Sequence, residues 1–109
     1  MDTRDIPKDR WCDELDFFSR EHEGQYVTVE IASRDGTSRT EARDLPLQGV
    51  SCDAPGSDRI AVIAGERPED HLTHEIAGAV AVTIEGDSGL RIRARDGTET
   101  RVALRPSPR

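Results

Sequence analysis

Two histidines and two carboxylates stand together at Asp70-His71-Leu72-Thr73-His74-Glu75, where metal chemistry is conceivable. Neutral imidazoles and carboxylates bind zinc and related ions when they converge on one point. A His-x-x-His pair converges on a helix, but in a strand residues three apart point to opposite faces. Because the surrounding pattern predicts a strand, metal binding by His71, His74 and Glu75 is a hypothesis, held beside the simpler interpretation of a polar strand entry.

Cys12 and Cys52 are the two sulfur nucleophiles of the chain. A reactive thiol needs a neighbouring base or a helix N-terminus that lowers its pKa. The sequence around Cys52 indicates neither, so both cysteines are expected to be small, buried free thiols. A bridge between them stays possible, but two cysteines alone do not make a disulfide framework.

Arginines dominate the last predicted hairpin. Arg91, Arg93, Arg95 and Arg101 are expected on one outer face, where they could bind an anionic ligand or RNA. The alternative is that these charges protect an edge strand from aggregation. A net charge of −7 argues against general nucleic-acid binding, which requires a positive field, so nucleic acid is not an expected partner.

Motifs of familiar enzymes are missing from the sequence. It contains no glycine-rich phosphate loop, no serine nucleophile elbow and no Cys-x-x-Cys pair. We therefore predict a protein that is not an enzyme and uses no cofactor.

The length of 109 residues predicts one domain. We place a polar lead-in at residues 1–6, the domain at residues 7–105 and a tail at residues 106–109. No run of 18 apolar residues predicts a membrane span, and the polar, acidic N-terminus does not resemble a signal peptide. A cytoplasmic location is the resulting expectation.

The elements that must position these groups begin with a helix from about Pro7 to Glu23. Trp11, Leu15 and Phe18 recur at helical spacing and form one apolar stripe, which predicts the face that packs on a sheet. Gly24 follows as the expected helix end.

Strands follow the helix. Val27, Val29 and Ile31 alternate with polar residues and predict a secure strand. In the next strand the apolar residues change from an even position, Ala42, to the odd positions of Leu45 and Leu47 within the segment Asp44–Asp53. Because side chains alternate between the two faces of a strand, this change requires an extra residue or a bend. Pro46 and Gly49 mark the bend, so we expect a strongly curved strand.

Two turns contain Asp-Gly, at Asp35-Gly36 and at Asp96-Gly97. The even or odd numbering of the inward-facing residues on either side predicts the length of each loop. Pairing Val29 with Ala42 implies a loop of even length, expected to have four residues. Aligning Leu90 and Ile92 with the even positions 100, 102 and 104 implies an odd loop of three residues with a bulge, rather than the familiar two-residue turn.

The fold class predicted is α+β, mainly β: an N-terminal helix packed on a strongly bent antiparallel sheet of five or six strands. This topology resembles the Sm-like and SH3-like small barrels or rolls. The chain also resembles a family of small bacterial proteins that is known only as a domain of unknown function. The resemblance lies in the stretch Trp11 to Gly24, Val27-Thr-Val-Glu30, Arg43-Asp-Leu-Pro-Leu47 with Gly49, His71-Leu-Thr-His74 with Ile76, and Asp96-Gly-Thr98. It implies a unit of this size and fold, and no activity.

The function expected is that of a small cytoplasmic interaction or accessory module. Its partner would be an unidentified protein or a second copy, bound through a sheet edge or through the arginine face. Binding of RNA or an anionic ligand through the arginines is the second hypothesis. Metal binding at the histidines is the third.

Overall fold

One helix lies on one antiparallel sheet in the computed structural model, which describes residues 3–105. The eight strands and the helix follow in the order β1 (Thr3–Asp5), α1 (Trp11–His22), β2 (Tyr26–Ala32), β3 (Ser38–Cys52), β4 (Ile60–Ala64), β5 (Leu72–Ile76), β6 (Ala79–Glu85), β7 (Gly89–Ala94) and β8 (Glu99–Leu104). This confirms a mainly β protein with an N-terminal helix on an antiparallel sheet. In the described part of the chain, no helix is long and apolar enough to cross a membrane.

The sheet is open and has eight strands, where the sequence predicted five or six. Its strand order is β1-β6-β7-β8-β2-β3-β4-β5, so β1 and β5 form its two edges. One additional strand, β1, falls inside the predicted lead-in and pairs with β6. It is anchored by Ile6, which is buried and donates its N–H to the Val82 carbonyl at 2.8 Å.

The second additional strand comes from the segment between His71 and Ile84, in which Gly78 interrupts the extended chain. Gly78 has a φ of +75° and splits this segment into β5 and β6. A positive φ breaks the regular extended backbone and is open to glycine at little cost. The predicted tail at residues 106–109 lies outside the described residues.

Helix α1 buries the predicted stripe of Trp11, Leu15 and Phe18. It is shorter at its start than predicted, because Lys8–Arg10 form a 3-10 turn before it. The Trp11 indole N–H donates to the Ile6 carbonyl at 2.9 Å, which joins the helix start to the segment after β1. Gly24 follows the helix with a φ of +84°, as expected of a residue that ends a helix.

Both Asp-Gly turns have the same sequence, Arg-Asp-Gly-Thr, and the same geometry. In the last hairpin, Ala94 N–H bonds to Thr98 O at 2.8 Å around the three-residue loop 95–97, which confirms the predicted odd loop. In the first hairpin, Ser33 N–H bonds to Thr37 O at 2.7 Å around the loop 34–36, so the predicted four-residue loop is wrong. Val29 still pairs with Ala42, because a register shift beside Glu41 restores the parity.

Along strand β3, the residues that face the core change between even and odd positions twice. Ala42, Leu47 and Val50 are its buried apolar residues, and their spacing departs from strict alternation. The first change contains Asp44, whose φ of +54° is the one positive φ of a non-glycine residue among those described. The second is a register shift against β4 between Leu47 and Gly49. The predicted phase change is confirmed, and the bulges at these two changes, together with the one beside Glu41, bend β3 so that it pairs with β2 at one end and β4 at the other.

Gly49 lies in the second bend and faces the helix. A Cβ at this position would meet the Ser19 Oγ at 3.5 Å, which is ordinary van der Waals contact. We expect Gly49→Val to lower the free energy of unfolding by about 1–3 kcal/mol, because its γ-methyl groups would overlap Ser19. Gly49→Ala is the matched control and should cost less than about 1 kcal/mol. Urea unfolding followed by circular dichroism measures both, and equal stability of the valine variant and wild type would contradict the close approach.

Candidate functional site

Strand β5 is an unprotected sheet edge. It pairs with β4 over five consecutive residues without a bulge, and no strand pairs with its other side in the described part of the chain. The segment Leu72–Ile76 contains no proline, glycine, lysine or arginine, the residues that commonly blunt an edge. The other edge, β1, has three residues in the described part of the chain. Strand β5 therefore presents the longer regular row of backbone groups to solvent.

Negative charge surrounds this edge. The segment 66–76 carries the four carboxylates Glu66, Glu69, Asp70 and Glu75, against one guanidinium, that of Arg67. Arg67 is engaged within the loop, with its Nη2 3.2 Å from Asp70 Oδ2. Glu75 lies on the exposed side of β5, and its Oε1 is 3.7 Å from Arg59 Nη1. With Arg59 included, the carboxylates near the edge outnumber the guanidinium groups by four to two.

The two candidate metal-binding histidines lie in different environments. His71 is exposed, and its Nε2 lies 3.0 Å from the Thr73 Oγ1 on the outer side of β5. His74 points inward, and its Nε2 lies 3.4 Å from the Thr100 Oγ1 of β8. Among residues 3–105, no three histidine, cysteine, aspartate or glutamate side chains gather in a way that could hold a metal ion. The structure thus does not bring His71, His74 and Glu75 together.

His74 links the edge strand to the core. Thr100 is only 1% exposed and is the one buried polar residue among those described, so His74 supplies its side-chain partner. Burial lowers the pKa of His74 below its ordinary value because the imidazolium would lose hydration. Of the nearby charges, Glu41 opposes this shift in pKa and Arg39 reinforces it. The neutral imidazole is therefore the form that the fold favours.

The arginine face is neutralised by carboxylates. Arg91 and Arg101 lie directly opposite each other on β7 and β8 and share Glu85, at 3.0 Å and 3.6 Å respectively. The Arg91 Nε–H is not aligned with that carboxylate and has no hydrogen-bond partner among the described residues. Glu30 of β2 lies opposite Arg101 on its other side.

The remaining two arginines differ from each other. Arg93 lies opposite Glu99 in the same row of the sheet, on the face predicted from the sequence. Arg95 follows β7 in the turn, and its Nη2 reaches Asp58 at 3.3 Å, before β4. The structure therefore brings Arg91, Arg93 and Arg101 together and directs Arg95 to another part of the surface.

Cys12 and Cys52 form a disulfide, so the expectation of free thiols is wrong. Helix α1 crosses the end of β3 and brings the two Cα atoms to 5.1 Å, within the usual range for a disulfide. The sequence placed one cysteine beside Trp11 and the other at the end of the bent strand. Only the crossing of these two elements shows that they meet.

A second tie between α1 and β3 was not predicted. The Ser19 Oγ accepts the Val50 N–H at 2.8 Å and lies within donor distance of the carbonyls of Val50, at 2.9 Å, and Leu15, at 2.8 Å. A serine within a polar helix end gives no sequence signal for such a bond. Together with the disulfide, it attaches the helix to β3 at two positions.

Removing the disulfide should lower stability. The bridge spans 40 residues, and the loop-entropy argument gives a loss of about 3–4 kcal/mol in the free energy of unfolding for Cys12→Ser/Cys52→Ser. Oxidised wild type and the double variant would be compared by chemical unfolding without reductant. A difference in the free energy of unfolding below about 1 kcal/mol would be far smaller than the loop-entropy argument predicts, and would mean that the bridge does not constrain the unfolded chain.

His74 should make stability depend on pH. Its pKa is lowered by folding, so its contribution is complete above the unfolded pKa of about 6.5 and falls as the pH decreases below that value. We expect the melting temperature of wild type to drop more steeply than that of His74→Gln between pH 7.5 and 5.5. His71→Gln, on the exposed histidine, should keep the wild-type slope. Identical slopes for wild type and His74→Gln would contradict this role.

The comparisons with known proteins provide a family but no activity. A search of the curated proteins finds no match, and no solved structure matches the chain. The model of a family of unknown function, DUF5335, matches residues 2–109, in agreement with the resemblance seen in the sequence. With an N-terminal helix, an open antiparallel sheet and a match over nearly its whole length, the chain belongs to the DUF5335 family of unknown function.

Proposed function

We propose that the protein is a small non-enzymatic interaction module that binds an extended protein segment along β5. The observation that carries this proposal is the unblunted edge, five residues in unbroken register with β4 and unpaired on the other side in residues 3–105. Such an edge accepts an additional strand through main-chain hydrogen bonds, while alternate side chains of the partner provide specificity.

The partner that fits this edge is basic. An added strand would lie beside Glu75 and close to the carboxylates of the loop before β5, which favour lysine or arginine side chains. A second copy of this chain is less suited, because its own acidic segment 66–76 would be brought against the first. The occupant we propose is therefore a basic, extended segment of another protein.

The arginine face supports a second function less well. Arg91, Arg93 and Arg101 stand against Glu30, Glu85 and Glu99 in the same part of the sheet, so the face has no local excess of positive charge. Binding of RNA or another anion there remains the alternative, with Arg93 as its most available guanidinium. A cytoplasmic location and membership in the Sm-like or SH3-like class also stand as proposals.

Labelled peptides test the strand-pairing proposal. The probe is an eight-residue fluorescein peptide in which lysine alternates with valine, and binding is followed by fluorescence anisotropy at physiological salt. We expect binding, and we expect hydrogen exchange to slow at the amides of residues 72–76. A peptide with glutamate in place of lysine should not bind. A peptide with proline in place of valine keeps the charge but cannot pair as a strand, so it should not bind either.

Two charge reversals localise the contact. Glu75→Lys should weaken binding of the lysine peptide by about fivefold, the effect of a charge at a partly exposed interface. Glu30→Lys is the matched control on β2, which β3 and β4 separate from β5 in the sheet, and should change binding by less than about twofold because salt screens the more distant surface charges. If Glu75→Lys and Glu30→Lys weakened binding equally, or if the proline peptide bound as tightly as the valine peptide, the attraction would be generally electrostatic and the proposal would be contradicted. A dimer whose β5 amides are protected would identify a second copy as the occupant instead.

A further inference from the structure

A groove of about 420 Å³ runs between α1 and the strands β3 and β4. The disulfide forms part of its wall, with Ser19 and Asp16 on the helix side and Gln48 and Ile63 on the sheet side. Both Cys12 and Cys52 are partly exposed. A small thiol can therefore approach the sulfur atoms from this groove without unfolding the chain.

We propose that the Cys12–Cys52 disulfide is a thiol–disulfide exchange site, reduced by neutral or cationic dithiols and re-formed by the reverse exchange with a neutral or cationic disulfide, which is itself reduced to the thiol. A thiolate of the dithiol attacks the Cys52 Sγ, the bond between the two cysteines breaks, and the electron pair leaves on the Cys12 Sγ. The second thiol, as its thiolate, then attacks the mixed disulfide and releases Cys52 as a thiolate. The dithiol becomes a disulfide, and the protein gains two electrons and, from water, the protons of its two thiols.

Cys12 is assigned as the leaving group of the two cysteines. It lies in the first turn of α1, a helix of 12 residues, where the helix dipole favours a thiolate and the carboxylates of Asp13 and Glu14 in the same turn act against it. Cys52 lies at the end of β3 and has no helix N-terminus of its own. The direction of attack, on Cys52 with departure of Cys12, follows from this asymmetry.

Carboxylates around the disulfide select the reductant. Asp16 lines the groove and pairs with the Arg20 guanidinium at 2.9 Å, and Asp13 and Asp53 directly follow Cys12 and Cys52 in the chain. They repel an anionic thiol and attract a cationic one within a Debye length. Anionic thiols such as glutathione should therefore be poor reductants of this bond.

The fold does not depend on the bridge alone. Leu15 and Phe18 remain buried against the sheet, and the bonds between Ser19 and Val50 hold the helix to the middle of β3. Reduction should thus free only the end of β3 and the loop 53–59 that follows it. The reduced protein stays folded and can be oxidised again.

Matched monothiols test the proposal on the oxidised full chain. Cysteamine, 2-mercaptoethanol and thioglycolate are similar in size and carry positive, zero and negative charge. We expect the rate of mixed-disulfide formation, corrected for the thiolate fraction, to fall by about tenfold from cysteamine to thioglycolate, since several carboxylates lie within a Debye length. Peptide mapping after acid quenching should place the adduct on Cys52. In urea, a neutral denaturant that unfolds the chain without screening charges, the preference for the cationic thiol should shrink.

A charge variant and a dithiol complete the test. Asp16→Asn should reduce the ratio of the cysteamine rate to the thioglycolate rate. Asp35→Asn, in the first hairpin turn, should leave this ratio unchanged. Dithiothreitol should yield two thiols that iodoacetamide labels while circular dichroism stays native, and cystamine, a cationic disulfide, should restore the bridge after the dithiothreitol is removed. Reduction only after unfolding, an adduct on Cys12, or equal rates for the three monothiols would overturn the proposal.

Discussion

The attachment of α1 to the bent middle of β3 is the constraint on which the structure depends. The strand must turn from β2 to β4, and it does so through two changes of phase, at Asp44 and between Leu47 and Gly49. At the second change the helix lies so close that Gly49 faces Ser19, whose hydroxyl takes up the Val50 N–H. A backbone group freed by a bulge needs such a partner, because a buried N–H without one is costly.

The same bend decides what the surface offers. Because β3 continues into a second set of pairings, β4 and β5 extend the sheet beyond β2 and leave β5 as an edge. The inward side of β5 is anchored by His74 against Thr100, and its outward side carries Glu75. At the end of the β3 segment that pairs with β4, the bend places Cys52 under the helix, beside Cys12. The proposed strand-pairing edge and the proposed exchange site are thus two results of one curved strand.

Prediction from the sequence succeeded where the residues that decide a feature lie within one helix or one hairpin. The stripe of Trp11, Leu15 and Phe18 follows from helical spacing alone, and the loop of the last hairpin follows from parity. The same parity argument failed for the first hairpin, because a bulge near Glu41 contributes one residue that no local signal reveals. Arg95 was misplaced for a related reason: parity continues only as far as the strand, and β7 ends at Ala94.

The sequence by itself determined the helix, the alternation of Val27, Val29 and Ile31, the positions of the two Asp-Gly turns, the loop length of the last hairpin and the resemblance to the family. These depend on backbone preferences and on periodicity within a few residues. Tertiary structure alone decided that Cys12 meets Cys52, that His71 and His74 face different environments, and that Glu85 neutralises two arginines. Each of these contacts joins elements distant in the chain, and their meeting depends on how β3 bends and where α1 crosses it. The physical reason is that long-range contacts are set by packing, which periodicity within one element does not encode.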